Sequence, residues 1–121
     1  MSISILFVDD DINLLGSFRR LLTLEREDID FEMASSAEEA MNILRGKKYD
    51  VVVSDHRMAG MEGLTFLSIV RTKYPSMKRI MLSAQVQEDI FHEAESLAHV
   101  YLSKPCDFKI LLKEIEKLLS A

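Results

Sequence analysis

At 121 residues the chain has the length of one ordinary domain, enough to bury a substantial core. Hydrophobic residues make up 48% and charged residues 29%, which excludes disordered, fibrous and collagen-like classes. The net charge is −5 and the basic residues are scattered, which argues against direct nucleic-acid binding by this domain, since a phosphate backbone needs clustered Lys and Arg.

Further classes fall away on similar grounds. "RR" at 19–20 and "KK" at 47–48 read as solvated helix faces. No apolar run approaches the ~20 residues that span a bilayer, so no membrane partner is expected. The opening "MSISILFVDD" has no basic segment before its apolar run and is not expected to be a signal peptide. The single Cys106 cannot form an internal disulfide, and a reducing cytoplasm is the simplest setting.

In chain order, "ISILFV" (3–8) predicts a first strand, and Ile12, Leu15, Phe18 and Leu22 follow at helical spacing. "IDFEMA" (29–34) predicts a second strand. "SAEE" at 36–39 then reads as a capping box, with the Ser36 hydroxyl and the Glu39 carboxylate each taking an orphan amide ahead of Ala37, Ala40, Met41 and Leu44. "DVVVS" (50–54) is a third strand, followed by a helix through Leu64, Leu67 and Val70 that Pro75 closes. "RIMLS" (79–83) is a fourth strand. A fourth helical pattern on Ile90, Ala94 and Leu97 buries little, and "HVYLS" (99–103), opened by His99, is a fifth strand. Asp107 is placed to cap a last helix carrying Phe108, Leu111, Leu112, Ile115, Leu118 and Leu119. Repeats, low-complexity tracts and linkers are absent. Five alternations of strand and helix imply right-handed crossovers and a parallel sheet with helices on both faces. In such sheets ligands bind beyond the carboxyl ends of the strands.

Those ends collect the chemistry. Strand one ends in Asp9, Asp10 and Asp11, strand three in Asp55, strand four in Ser83, and strand five in Ser103, Lys104 and Pro105. Singly, an aspartate triplet is ordinarily a turn or a cap, a terminal serine is structural, and Lys-Pro is a turn. Their convergence on one crevice is what points to a site. Carboxylates of Asp9, Asp10 and Asp55 would repel one another unless a cation were present, and a few oxygen ligands suit Mg²⁺. Calcium is disfavoured because an EF-hand loop is absent, and zinc or iron because His56, His92 and His99 lack ligand spacing. Magnesium, Lys104 and the Ser83 hydroxyl together would suit a phosphoryl group. No glycine-rich phosphate loop is present, so a nucleotide is not expected. The remaining nucleophile is a carboxylate, of which Asp55 is the central one.

At "ILFVDDD", "DVVVSDHRMAGMEGLTFL", "RIMLSA" and "HVYLSKP" the sequence resembles the receiver domain of two-component response regulators, over essentially its whole length. The resemblance implies one receiver domain over residues 1–121, of α/β class. It would be a doubly wound five-stranded parallel sheet with five helices, of flavodoxin-like topology and strand order 2-1-3-4-5. By it, Asp55 would accept a phosphoryl group from a sensor histidine kinase or phosphotransfer protein. Mg²⁺ (or Mn²⁺) would be held by Asp10 directly, Asp9 through water, Asp55 and the backbone carbonyl of Arg57. Ser83 would be the switch hydroxyl, Tyr101 the switch aromatic and Lys104 the family's lysine, with a cis Lys104-Pro105 bond. The face made by the fourth helix, fifth strand and fifth helix would change, and by the same resemblance would be the surface for a homodimer. The kinase would be chosen around Asn13 to Arg20. Ala59 replaces a frequent proline. Arg57 and Gln85 stand where side chains border the attacking water, and their bulk is expected to slow phosphoryl loss. "DHRMAGMEG" and "YLSKPCD" also look like receivers preceding output domains that handle cyclic dinucleotides.

Two other readings stay open. A small phosphohydrolase using Asp55 as nucleophile would want a second acid two residues on, where Arg57 stands. A receiver-like module working without phosphorylation is disfavoured by the complete set of Asp9, Asp10, Asp55, Ser83 and Lys104.

Overall fold

Local sequence signals start and stop the helices where the spacing predicts. In the computed structural model, residues 3–58, 60–84 and 97–120 are described. Asp11 caps α1 (Ile12–Glu25), its carboxylate accepting the amides of Asn13 and Leu14. Ser36 caps α2 (Ala37–Gly46) through the Glu39 amide, but Glu39 reaches back to Ser35 instead of the Ser36 amide. α3 (Gly63–Lys73) stops before Pro75, and the C-terminal helix (Phe108–Ser120) begins beside Asp107, which accepts the Lys109 amide at 2.8 Å. The pair Lys47–Lys48 lies beyond the end of α2, not on its face, and Lys47 pairs with Asp30. The fourth helical pattern, on Ile90 and Ala94, lies outside the described residues.

The strands are β1 (Ile3–Val8), β2 (Ile29–Ala34), β3 (Val51–Asp55), β4 (Lys78–Ser83) and β5 (Val100–Ser103). All pair in parallel, in the order β2-β1-β3-β4-β5, as the resemblance implied. Parallel strands need crossovers, and these bring helices onto both faces, so the central strands are apolar on both sides. One face packs Ile5, Phe7, Val51, Val53, Ile80 and Leu82 against α1 and the C-terminal helix. Phe18 lies between Phe7 and Phe108, with ring centroids 5.4 and 5.5 Å away. The other face packs Leu6, Val8, Val52 and Met81 against α2 and α3. Each such fully buried side chain contributes about 1.5–3 kcal/mol relative to exposure, and this offsets the ordering of the backbone.

Two residues depart from the apolar spacing. Ile12, expected on the inner face of α1, is 75% exposed because the helix begins there, above the rim of the sheet. Arg79, in an apolar strand, is buried. Its guanidinium donates to the carbonyls of Leu97 at 2.6 Å and Met77 at 3.3 Å. Among the described residues, no helix is long and apolar enough to cross a membrane.

Strand register fixes which residues meet at the carboxyl end of the sheet. Val8 is level with Ser54, so Asp9 stands level with Asp55; Asp55 is level with Leu82, and Ser83 with Ser103, just before Lys104. The end of β3 is held on both sides. The His56 N–H donates to the Leu82 carbonyl, and the His56 carbonyl accepts the Gly63 N–H, both at 2.9 Å. Gly63 is required there, since a Cβ would lie 2.0 Å from the Asp55 carbonyl oxygen. Gly63→Ala is therefore expected to destabilise the domain by about 3 kcal/mol or more in urea unfolding, because the obstructing atom is backbone and cannot rotate away.

Candidate functional site

At the carboxyl end of the sheet, β1 and β3 deliver two acids into nearly dry surroundings. Asp9 is 3% exposed and Asp55 8%, while Asp10, one step further along the chain, is exposed. Removing a carboxylate from water is costly unless its charge is matched. Lys104 supplies part of the match: its ammonium donates to Asp9 Oδ2 at 2.8 Å and stands 3.3 Å from Asp55 Oδ1. The other oxygen of Asp9 accepts the Asp11 N–H at 2.9 Å. Asp11, third of the acidic run, uses its own carboxylate to cap α1 and does not join the cluster.

The balance of charge remains negative. Burial first, then the charge of Asp9, hold the Asp55 carboxyl above the ordinary carboxylate range, with Lys104 acting the other way. Burial alone would lower Lys104, but the hydrogen bond and charge of Asp9, joined by Asp55, outweigh it and hold the ammonium above its usual range. Three carboxylates against one ammonium leave a formal deficit of two positive charges. One oxygen each from Asp9, Asp10 and Asp55 lies within 4.8 Å of the others. An octahedron with arms near 2.1 Å separates its ligand oxygens by roughly 3 to 4 Å, so a small oxygen-preferring divalent cation such as Mg²⁺ fits this donor set with little adjustment. Asp10, open to solvent, leaves room for water ligands.

Beside the acids is a cavity of about 140 Å³ lined by Asp55, His56, Arg57, Ser83, Ala84 and Lys104. Ser83 is buried at the end of β4, and its carbonyl accepts the Lys104 N–H at 2.7 Å. The Lys104-Pro105 bond is cis. Arg57 is exposed at the rim. Tyr101 is half-buried on β5 and packs against the α2–α3 layer, away from the acids. Ser103, expected at the crevice, is exposed. Ala59, Gln85 and His92 lie outside the described residues. A larger depression, about 510 Å³, lies at the opposite end of the sheet against Tyr49, Tyr74 and Leu118. It gathers no cluster of acids, and charge rather than size marks the site.

His56, which lacks metal-ligand spacing in the sequence, borders the cavity beside the acids. Its Nδ1 is buried with no hydrogen-bond partner, which ordinarily costs about 1–3 kcal/mol.

Known proteins of similar sequence and shape point the same way. The family described as the response regulator receiver domain matches residues 5–116. The chain is 32% identical over 114 residues to the DNA-binding transcriptional regulator NtrC of Proteus hauseri, covering 93% of this chain and 24% of that protein. It thus spans about a quarter of the length of that curated relative. A CheY-like response regulator receiver domain protein from Methanospirillum hungatei JF-1 superposes with TM-score 0.91 at 26% identity, over 99% of this chain and 95% of that one. The signal receiver domain of an HD domain-containing protein from Pseudomonas fluorescens Pf-5 also gives 0.91, at 28% identity, over 99% and 96%. With the strand order, the acidic cluster and a family match over nearly all its length, the chain belongs to the response regulator receiver domains of two-component systems.

Proposed function

We propose that this domain is a phosphorylation switch, taking a phosphoryl group onto Asp55 from a sensor histidine kinase or phosphotransfer protein. The observation that carries the reading is the Lys104 ammonium set between Asp9 and Asp55 at the mouth of a small polar cavity. Asp9, Asp10, Asp55 and the backbone carbonyl of Arg57 would hold Mg²⁺ or Mn²⁺, which when bound supplies positive charge to the phosphoryl oxygens. An Asp55 oxygen attacks the phosphorus of a phosphohistidine. The P–O bond forms as the P–N bond breaks, and the leaving imidazole nitrogen takes a proton from solvent. Lys104 neutralises charge on the transferred group, and the Ser83 hydroxyl donates a hydrogen bond to it.

The product is a conformational signal, and no external substrate is turned over. New charge and acceptor oxygens beside Ser83 draw its hydroxyl toward the acyl phosphate, and Tyr101 turns into the space released. The face of β5 and the C-terminal helix then changes affinity for its partner, a second copy or an output element. On this reading residues 1–121 act as one receiver unit in the cytoplasm, where a kinase presents its phosphohistidine. The output, which the motif resemblance connects with cyclic dinucleotides, is carried by a further domain or protein. The relative from Pseudomonas fluorescens, a receiver of an HD domain-containing protein, is in keeping with output outside the receiver.

Three measurements test this. With Mg²⁺ and acetyl phosphate the domain is expected to gain ~80 Da, one phosphoryl group, and Asp55→Asn to gain nothing; equal modification of that variant would sink the assignment. Arg57→Ala is expected to shorten the life of the adduct several-fold in the same mass assay, by opening the rim to water. The third concerns pH. An acid whose folded pKa is raised binds its proton more readily folded than unfolded, so stability falls as pH climbs from the unfolded value through the folded one. At pH 7 without divalent cation, Asp55→Asn should therefore melt higher than the parent, by about 3 °C or more for a chain of this size, and the gap should close as pH drops toward ~4.

A further inference from the structure

Basic residues that are scattered along the sequence are partly gathered by the fold, at the end of the sheet opposite the acids. Two adjoining depressions there, each about 510 Å³, share Lys48 and Tyr74. Five of the chain's 15 basic residues line them, namely Arg45, Lys47, Lys48, Lys73 and Lys78, although the whole chain carries a charge of −5. Arg45 and Lys73 stand in the last turns of α2 and α3, where a cation complements the helix dipole. That account does not reach Lys78, which opens β4. The acids nearby are committed elsewhere. Asp30 pairs with Lys47, and the Asp50 carboxylate accepts the amide and hydroxyl of Ser4 at 2.9 and 3.1 Å. Among the described residues, Lys48, Lys73 and Lys78 have no acid within ion-pair distance. The surface they border is apolar and aromatic: Tyr74, Leu118 and Leu119 are half-buried beside the buried Tyr49 and Met77.

We propose that this groove is a docking surface for a short acidic peptide segment of a partner protein, one that alternates carboxylates with apolar side chains. The carboxylates answer the unmatched charge of Lys48, Lys73 and Lys78, and the apolar side chains cover Tyr74 and the two leucines. Exposed ion pairs add little affinity by themselves, so the apolar contacts hold the segment while the charges choose and orient it. A nucleic acid fits less well. Three unmatched cations are few for a phosphate backbone, and the negative remainder of the domain repels a polyanion long enough to extend past the groove. The groove lies at the far end of the sheet from Asp55, so the inference stands apart from the reading of that residue as phosphoacceptor.

The probe is a fluorescein-labelled peptide alternating glutamate with leucine and phenylalanine, titrated with the domain and followed by anisotropy. Saturable binding is expected at about 50 mM salt, weakening several-fold by about 300 mM. Lys48→Glu with Lys73→Glu is expected to weaken it roughly tenfold or more, and Tyr74→Ser several-fold, with far-UV circular dichroism unchanged. Arg20→Glu with Lys109→Glu makes the same change of charge at exposed positions that line neither depression, and is expected to leave affinity within about twofold. If that control weakens binding as much as the lysine pair does, net charge alone is at work and the proposal is overturned. It is overturned equally if a labelled oligothymidylate binds as tightly as the peptide, if a peptide with lysine in place of glutamate binds as well, or if the parent shows no saturable binding. Should the reversed lysine pair fail to fold, Tyr74→Ser and the lysine-substituted peptide decide the matter.

Discussion

The ammonium of Lys104 stands 2.8 Å from Asp9 and 3.3 Å from Asp55, and the demands of that contact shape much of the domain's layout. It lets two carboxylates sit at the end of a buried strand pair, where a lone carboxylate would be driven toward its neutral form. It does so incompletely. One positive charge between two acids, with Asp10 nearby, leaves the crevice electron-rich and Asp55 uneasy in its charged form. A structural ion pair would be closer to neutral. This one is short of cations by the amount that a divalent ion supplies, which is the condition of a site built to be completed by something else.

The sheet supplies the precision. Asp9, Asp55, Ser83 and Lys104 come from four strands or their ends, and each neighbouring pair is related by a register offset of one residue or none. A slip of one residue in any of these pairings would turn a functional side chain to the opposite face. The apolar layers on both sides of the sheet forbid such a slip, because it would carry Val51, Val53 or Ile80 into the wrong layer. The core is thus an alignment device for the polar end, and packing and chemistry are specified by the same pattern of alternation.

Much of this was readable from residue order. The strand bounds to within one residue (β5 begins at Val100, not at His99), the caps at Ser36 and Asp107 and the strand order follow from period, turn chemistry and resemblance. Those signals are local, or repeat many times along the chain. What was not readable depends on contacts between distant segments. Ile12 has the right spacing for the core, yet the helix starts too high for it to reach. Asp11 looks like an equal member of an acidic run, and only the local geometry of the α1 cap diverts it. Arg79 is a polar residue in an apolar strand whose partners, the Leu97 and Met77 carbonyls, lie outside that strand, and His56 borders a cavity gathered from three strand ends.

The Arg79 clamp has a mechanical side. Its planar fork grips one carbonyl just ahead of β5 and another just ahead of β4, a two-handed hold that a lysine's single ammonium could not reproduce. The residues of β5 are only half covered or exposed, unlike those of the buried strands beside it. The outermost strand is thus tethered at its root by polar bonds, paired with β4 along one edge, and less covered than the strands inside it. A change of conformation at β5, which carries Tyr101, therefore disturbs less packed surface than the same change at β3 or β4.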